Sequence, residues 1–350
     1  MEGRPFFFRR SVMPERETFG SRLRLQAAQF RAITSLTLVE IIRQPLCLLL
    51  TASAVFLMGL ASLQAYQFGE DGRIARDSAL AIHFVFGMLV GCYAAHIALG
   101  GEMKSGACSV VLSKPVSRDL FFMAKFAAVA AMVLIFSACS IPAVLLCEKA
   151  APKLYHIDWT AAGCLLVSPV AAMACAGILN AWKGRPFAST AFWIILALVA
   201  GSLAVSAALY DPASAKRLID GRLFVSKNAF QWRLVPVALL ATLAIMVLAA
   251  AALTLTTRFG APPVLALCIL LLFGGLLSEY FFMNSRGGVS VAFRLIPNWQ
   301  NFWMNDALSA GGRVPWRYVC AAAFQAFLFI AAALAAGVYL FRNTDVSRGD

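Results

Sequence analysis

The chain alternates between long apolar runs and short polar segments. Eight apolar runs fall at approximately 46–68, 78–100, 121–147, 158–181, 187–209, 235–256, 264–284 and 318–341. Each has the length, about 20 residues, that a helix needs to cross a ~30 Å hydrocarbon layer. Backbone groups in lipid must be bonded within their own segment, so the runs are predicted as helices. The pattern therefore predicts an all-α polytopic membrane protein, a bundle of about eight transmembrane helices. A six-span core, with one pair of runs re-entrant, is the alternative.

Upstream of these runs the pattern changes twice. Residues 1–20 are polar, basic and without periodicity, as a loose cytosolic tail is. From Ser21 onward, Leu23, Ala27, Phe30, Ile33, Thr37 and Ile41 recur at steps of three or four, while Arg24, Arg31, Ser35 and Arg43 lie elsewhere round the wheel. This predicts an amphipathic helix over 21–44 lying in the membrane interface. Pro45 closes it. The first 45 residues hold no apolar h-region, and the run from Leu46 is too long for one, so that run is expected to remain as a span. The membrane domain is then 46–341, with a second cytosolic tail over 342–350.

Composition agrees with the runs. Hydrophobic residues make up 61% and charged residues 13%, against about 45–50% and 25% in a water-soluble chain. Collagen-like, disordered, disulfide-framework and soluble-enzyme classes are excluded. The net charge of +13 is concentrated near the start, at Arg4, Arg9, Arg10, Arg16, Arg22, Arg24, Arg31 and Arg43. No aromatic interleaving or binding module accompanies it, so it is read as topology and attraction to anionic membrane lipids, with no nucleic acid partner.

The loops set the orientation. Glu70, Asp71 and Asp77 outweigh Arg73 and Arg76 in 69–77, which is placed outside. Lys104, Lys114 and Arg118 place 101–120 inside, as do Lys183 and Arg185 for the next turn and Arg258 for the one after. Both termini are then cytosolic. The loops 210–234 and 285–317 are net basic although placed outside, and long segments count less in this rule. The turns Lys183-Gly-Arg-Pro-Phe and Arg258-Phe-Gly-Ala-Pro look alike and are read as ordinary basic inside turns rather than a duplication.

Candidate chemistry is sparse. The nine cysteines show no two-residue spacing, so they are read as small hydrophobes and no metal site is expected. No HExxH or GxSxG is present, and no catalytic residue is assigned. Gly101 to Gly106 has the GxxxxG skeleton of a phosphate loop, but Ala107 and Cys108 stand where Lys and Ser/Thr are needed. The chain is not expected to bind ATP itself. Within the runs, His83 and His96 are read as helix–helix hydrogen-bonding groups. Asn180 and Gln325 are neutral. Glu279 faces a substrate path or marks the interface beside Tyr280.

The segment behind the second run carries more information. Glu102 through Ser113 is predicted to form about three helical turns, with Met103, Ala107, Val110 and Lys114 on one face. Glu102 suits the helix start and Pro115 ends the helix. A short cytosolic helix fused to two spans can convey a push from a soluble partner. A plain inside loop has the same residues, and on physics alone both readings stand.

The pattern Glu102-x3-Gly106-x5-Leu112-Ser-Lys-Pro-Val-Ser-Arg118-x6-Lys125 closely resembles the inside loop of ABC-2 type permeases, the membrane subunits of ATP-binding-cassette transporters, in particular the bacterial branch with the gliding-motility and copper-enzyme-maturation permeases. The stretch 21–44 is similar to that family's interfacial elbow helix. Thr257-Arg-Phe, Leu276-Leu-Ser-Glu279, Leu295-Ile-Pro-Asn298, Asp306-Ala-Leu308 and Tyr339-Leu-Phe-Arg342 extend the resemblance over most of the chain. Ala107 and Ala124 depart from the family's usual Thr and Gly. The family usually has six spans, and the surplus here lies around 187–234.

The resemblance implies a transmembrane permease subunit, an exporter in the bacterial cytoplasmic (inner) membrane, with no enzymatic activity of its own. A separate ABC ATP-binding subunit, holding ATP and Mg, would dock on the 101–119 loop. A second permease copy or a related permease would complete a dimer. The resemblance implies partner-coupling roles for Glu102, Gly106, Lys114, Pro115, Arg118 and Lys125: Glu102 and Arg118 as charge partners, Gly106 for close approach, Pro115 for a fixed bend. Glu279 is the candidate for the translocation path. The rival reading is a polytopic membrane anchor or assembly factor that moves nothing.

Overall fold

In the computed structural model, the structure describes residues 19–64, 71–104, 116–151, 158–208, 230–282, 297–309 and 312–343. Among these residues there is no strand. In chain order the helices are α1 (Phe19–Ile42), α2 (Pro45–Ala61), α3 (Asp71–Ala95), a π-turn (His96–Gly100), α4 (Gly101–Lys104), α5 (Arg118–Ala150), α6 (Trp159–Lys183), α7 (Phe187–Ala208), α8 (Leu234–Thr256), α9 (Ala261–Phe282), a 3-10 turn (Trp299–Phe302), α10 (Asn305–Ser309) and α11 (Trp316–Arg342).

Local chemistry explains where these helices begin and end. The Ser117 hydroxyl accepts from Leu120 N at 3.3 Å and caps α5, with Asp119 in its first turn. Asp158 caps α6, accepting from Thr160 N and Ala161 N. Gly184 ends α6 in the left-handed region at φ 61°, and its N–H bonds Asn180 O at 2.9 Å. Pro45 occupies the first turn of α2, where its missing N–H costs nothing. Gln44 before it is extended (φ −71°, ψ 128°), so α1 cannot run on into α2.

The core lies where α3, α5 and α8 pack on one another. Small residues allow the approach. A Cβ on Gly91 would stand 3.2 Å from the Ala249 Cβ, and one on Gly87 would meet Ile245 at 2.4 Å. In lipid, this close packing replaces the hydrophobic drive that water would supply. Around the core, the α6–α7 hairpin leans on α2 and α5, α11 lies along α8, and α1 lies along the start of α5. The outward faces of α7 and α11 stay apolar, with Trp193, Phe324 and Phe327 exposed, as a lipid-facing surface is.

Among the described residues, six helical stretches are long and apolar enough to cross a membrane: Gly72–Met103, Arg118–Ala150, Trp159–Lys183, Phe187–Ala208, Leu234–Thr256 and Trp316–Arg342. The chain is a multi-pass, all-α membrane protein by that measure. The other two of the eight expected runs differ. Of the run 46–68, described to residue 64, the 17-residue α2 stops at Ala61, where the Ser62 hydroxyl turns back to Gly59 O at 2.7 Å. α2 is bent by 64° against α1, and the two together have the length and composition of one broken span or of a re-entrant pair. The run 264–284 yields α9, whose apolar stretch is Ala261–Leu277.

α1 begins at Phe19, inside the expected tail, and stops at Ile42. Of its expected face, Thr37 and Ile41 are buried, Phe30 and Ile33 are half-buried, and Leu23 and Ala27 are exposed. Only its second half rests on the bundle. At the other end Arg342 closes α11 instead of opening a tail. Residues 1–18 and 344–350 lie outside the described residues, as does most of the helix expected over 102–113: α4 is described to Lys104, and 105–115 are not.

Candidate functional site

The candidate site is the end of the bundle where α4 closes at Lys104 and the described chain resumes at Val116 ahead of α5. α3 does not stop at Ala95. It widens into the π-turn, whose closing bond runs from Gly101 N to His96 O, and continues as α4. Gly100 is needed there, because a Cβ would lie 2.6 Å from His96 Nδ1 and 2.9 Å from Thr256 Cγ2.

Two residues beyond the π-turn, Glu102 meets Lys125 of α5. Lys125 Nζ donates to Glu102 Oε1 at 2.5 Å and to Thr37 Oγ1 of α1 at 2.9 Å. The Lys125 side chain is 2% exposed and that of Glu102 19%. The ammonium also stands 5.1 Å from the centre of the Phe121 ring. Removing two charges from water is costly, and the pair is tolerable because the ammonium's donors find a carboxylate, a hydroxyl and a ring face. One turn away, Thr34 Oγ1 donates to Ala124 O at 3.2 Å. Three chain segments of distant sequence are therefore tied by polar contacts at one level.

A second tie lies at the mouth of α5. Arg118 Nη1 donates to Arg342 O at 2.8 Å, and Arg342 grips Asp119 through both Nε (2.7 Å) and Nη2. This bidentate arrangement orients α11 against α5. The groups are exposed, so it adds geometry more than stability. With 33 residues, α5 is about 50 Å long. It exceeds the hydrocarbon thickness of ~30 Å, so part of it extends beyond the lipid.

The site residues expected from sequence divide accordingly. Glu102 and Lys125 are brought together. Arg118 is joined to α11 and not to them. Glu102 and Arg118, expected to serve a docking subunit, both have partners within the chain. Gly106, Lys114 and Pro115 lie outside the described residues. The backbone of Glu279 is in α9. Sequence reasoning missed Thr37 as a ligand of Lys125, Asp119 as the partner of Arg342, and the π-turn. Only Thr37 left a signal, its place on the buried face of α1.

Elsewhere, His83 bonds Ser140 Oγ of α5 at 2.7 Å and Thr242 Oγ1 of α8 at 3.3 Å, and Thr242 reaches Ser137 Oγ at 3.2 Å. It is fully buried and stacked on Phe136, and it joins the three core helices. At the opposite end of α5, the fully buried Lys149 donates to Ser206 O of α7 at 2.6 Å and lies 4.0 Å over the Phe230 ring. Grooves between α6 and α7 (Cys164, Val167, Leu198) and between α2 and α6 (Phe56, Pro169, Met173) are mostly apolar and open to the surface. Among the described residues, no three His, Cys, Asp or Glu side chains gather as a metal ion would require.

Compared with protein-family models, curated proteins and solved structures, the chain matches none of them.

Proposed function

We propose that this chain is the permease subunit of an ATP-binding-cassette transporter of the ABC-2 type, an exporter driven by a separate ATP-binding subunit that docks on the loop between α4 and α5. The observation that carries the reading is the Lys125 tie. The loop leaves the bundle beside Glu102 and re-enters through α5, and Lys125 binds Glu102 and Thr37 at once. A force on the loop is thus delivered to α1, α3 and α5 together. A plain connecting loop has no need of a buried ion pair, which contributes little net stability against an apolar replacement. The Lys-Pro-Val-Ser-Arg element supports the same reading from sequence. In this account the loop is cytosolic, both termini lie on that side, a second permease copy or related chain completes the path, and ATP and Mg are held by the partner.

The reading is tested by replacing residues 105–115 with a Gly/Ser segment of equal length. The altered chain is expected to insert in the membrane and to lose co-purification with an ATP-binding-cassette ATPase subunit co-expressed with it. Undiminished association would contradict the docking site.

A further inference from the structure

The Glu102–Lys125 pair depends on the residue count between α3 and Glu102. A π-turn takes in one residue more than an α-turn, so every residue after it lags by one position round the helix axis. If the π-turn closed into α-helix, residues beyond Gly100 would advance by about 100°, one residue's share of a 3.6-residue turn. Gly101 would then take the position that Glu102 holds now, facing Lys125. Glu102 would take the position of Met103, and Gly100 that of Gly101.

The surroundings accommodate this step. Among the described residues, a Cβ on Gly101 would meet no atom within 4 Å. Gly100 is the crowded residue, and its crowding against His96 belongs to the π form. In an α-helix, side chains four residues apart have Cβ atoms about 5–6 Å apart and coexist. The π form thus needs glycine at 100, and the α form does not. It also lies directly before the most buried charge at this end of the bundle.

We infer that the π-turn His96–Gly100 is a register device: held open, it presents Glu102 to Lys125 and closes the polar tie to α1, and collapsed by one residue it presents Gly101 and releases the pair. This rests on the geometry of the pair and not on the transport reading. Under that reading, a pull on the loop is what would drive the collapse.

The test moves the carboxylate by one residue in the purified full-length chain, without any partner, and follows the thermal unfolding midpoint in detergent. With Glu102 in place, Gly100→Ala is expected to lower the midpoint, because closing the turn strands Lys125. In the Gly101→Glu/Glu102→Gly background the midpoint starts low, and the same Gly100→Ala is expected to raise it, because the collapsed turn carries the new carboxylate to Lys125. Deletion of Ala98 removes the extra residue, so the turn closes with position 102 still opposite Lys125; it is expected to leave the midpoint high with Glu102 in place and low in the exchanged background, with no reversal of sign. For Gly100→Ala, a clash alone would lower the midpoint in both backgrounds. That result, no change in either, or loss of folded protein in both backgrounds for both alterations would overturn the device. Failure here leaves the docking test above unaffected, since that reads association and not register.

Discussion

Replacing Lys125 by methionine is expected to destabilise the chain by about 3–5 kcal/mol, the usual result of removing one partner from a buried ion pair. The loss arises because Glu102 is left with its charge largely out of water, its carboxylate being 19% exposed, and Thr37 loses its donor. Methionine fills nearly the same space, so the loss does not come from a cavity. Adding Glu102→Gln to Lys125→Met removes the stranded charge and is expected to restore most of the stability. Reversible unfolding in mild detergent, run as a double-mutant cycle, measures this. Equal and additive losses in the two single variants would mean that the residues do not act as a pair.

The second large effect is expected at the opposite end of the bundle. Trp299 is 2% exposed, donates from Nε1 to Leu271 O at 3.1 Å, and lies against Gly275 of α9. A Cβ on Gly275 would come within 2.3 Å of the indole nitrogen and 2.4 Å of Pro297 O, so glycine is what lets this segment approach the helix. Asn298 caps the 3-10 turn, and Tyr318 OH holds Asn301 O at 2.7 Å, fixing the segment from the α11 side. Trp299→Ala empties that seat and is expected to cost about 3–5 kcal/mol. α9 should loosen first, because it packs on few other helices. Unfolding midpoints check the loss. Earlier proteolysis near Gly275 than in the core helices checks the order.

Much of the fold was legible because lipid leaves the backbone one solution. Six of the expected runs became long helices, and hydroxyls within them, such as Thr242 onto Ala238 O and Ser202 onto Leu198 O, bond carbonyls of their own helix without ending it. The run 46–68 is bounded by residues at its two ends. Gln44 ahead of Pro45 breaks the path from α1, and Ser62 turns its hydroxyl onto the end of α2. A helix forms over Phe19–Ile42, yet its first half has no surface to rest on among the described residues, and no wheel diagram shows where the bundle ends.

The candidate site was legible in part. Glu102 and Lys125 were visible as charges in a recognisable pattern, but their pairing crosses 23 positions and depends on a π-turn. The sequence His96-Ile-Ala-Leu-Gly100 reads as ordinary helix. A straight α-helix through it would have placed glycine opposite Lys125, so local periodicity points to the wrong residue there. Lys149 was hidden for another reason. It lies just past the expected end of its span, where lysines are ordinarily exposed, and its burial requires α7 and Phe230, both distant in sequence.

The central claim is that this chain is moved by an ATPase it does not contain. Its most direct test is ATP turnover in proteoliposomes holding the pure chain, a co-purified ATP-binding-cassette ATPase subunit, or both. The account predicts no hydrolysis by the chain alone, and turnover by the subunit that rises when the chain is present. Hydrolysis by the isolated chain, or turnover by the subunit that is the same with and without it, would contradict the account.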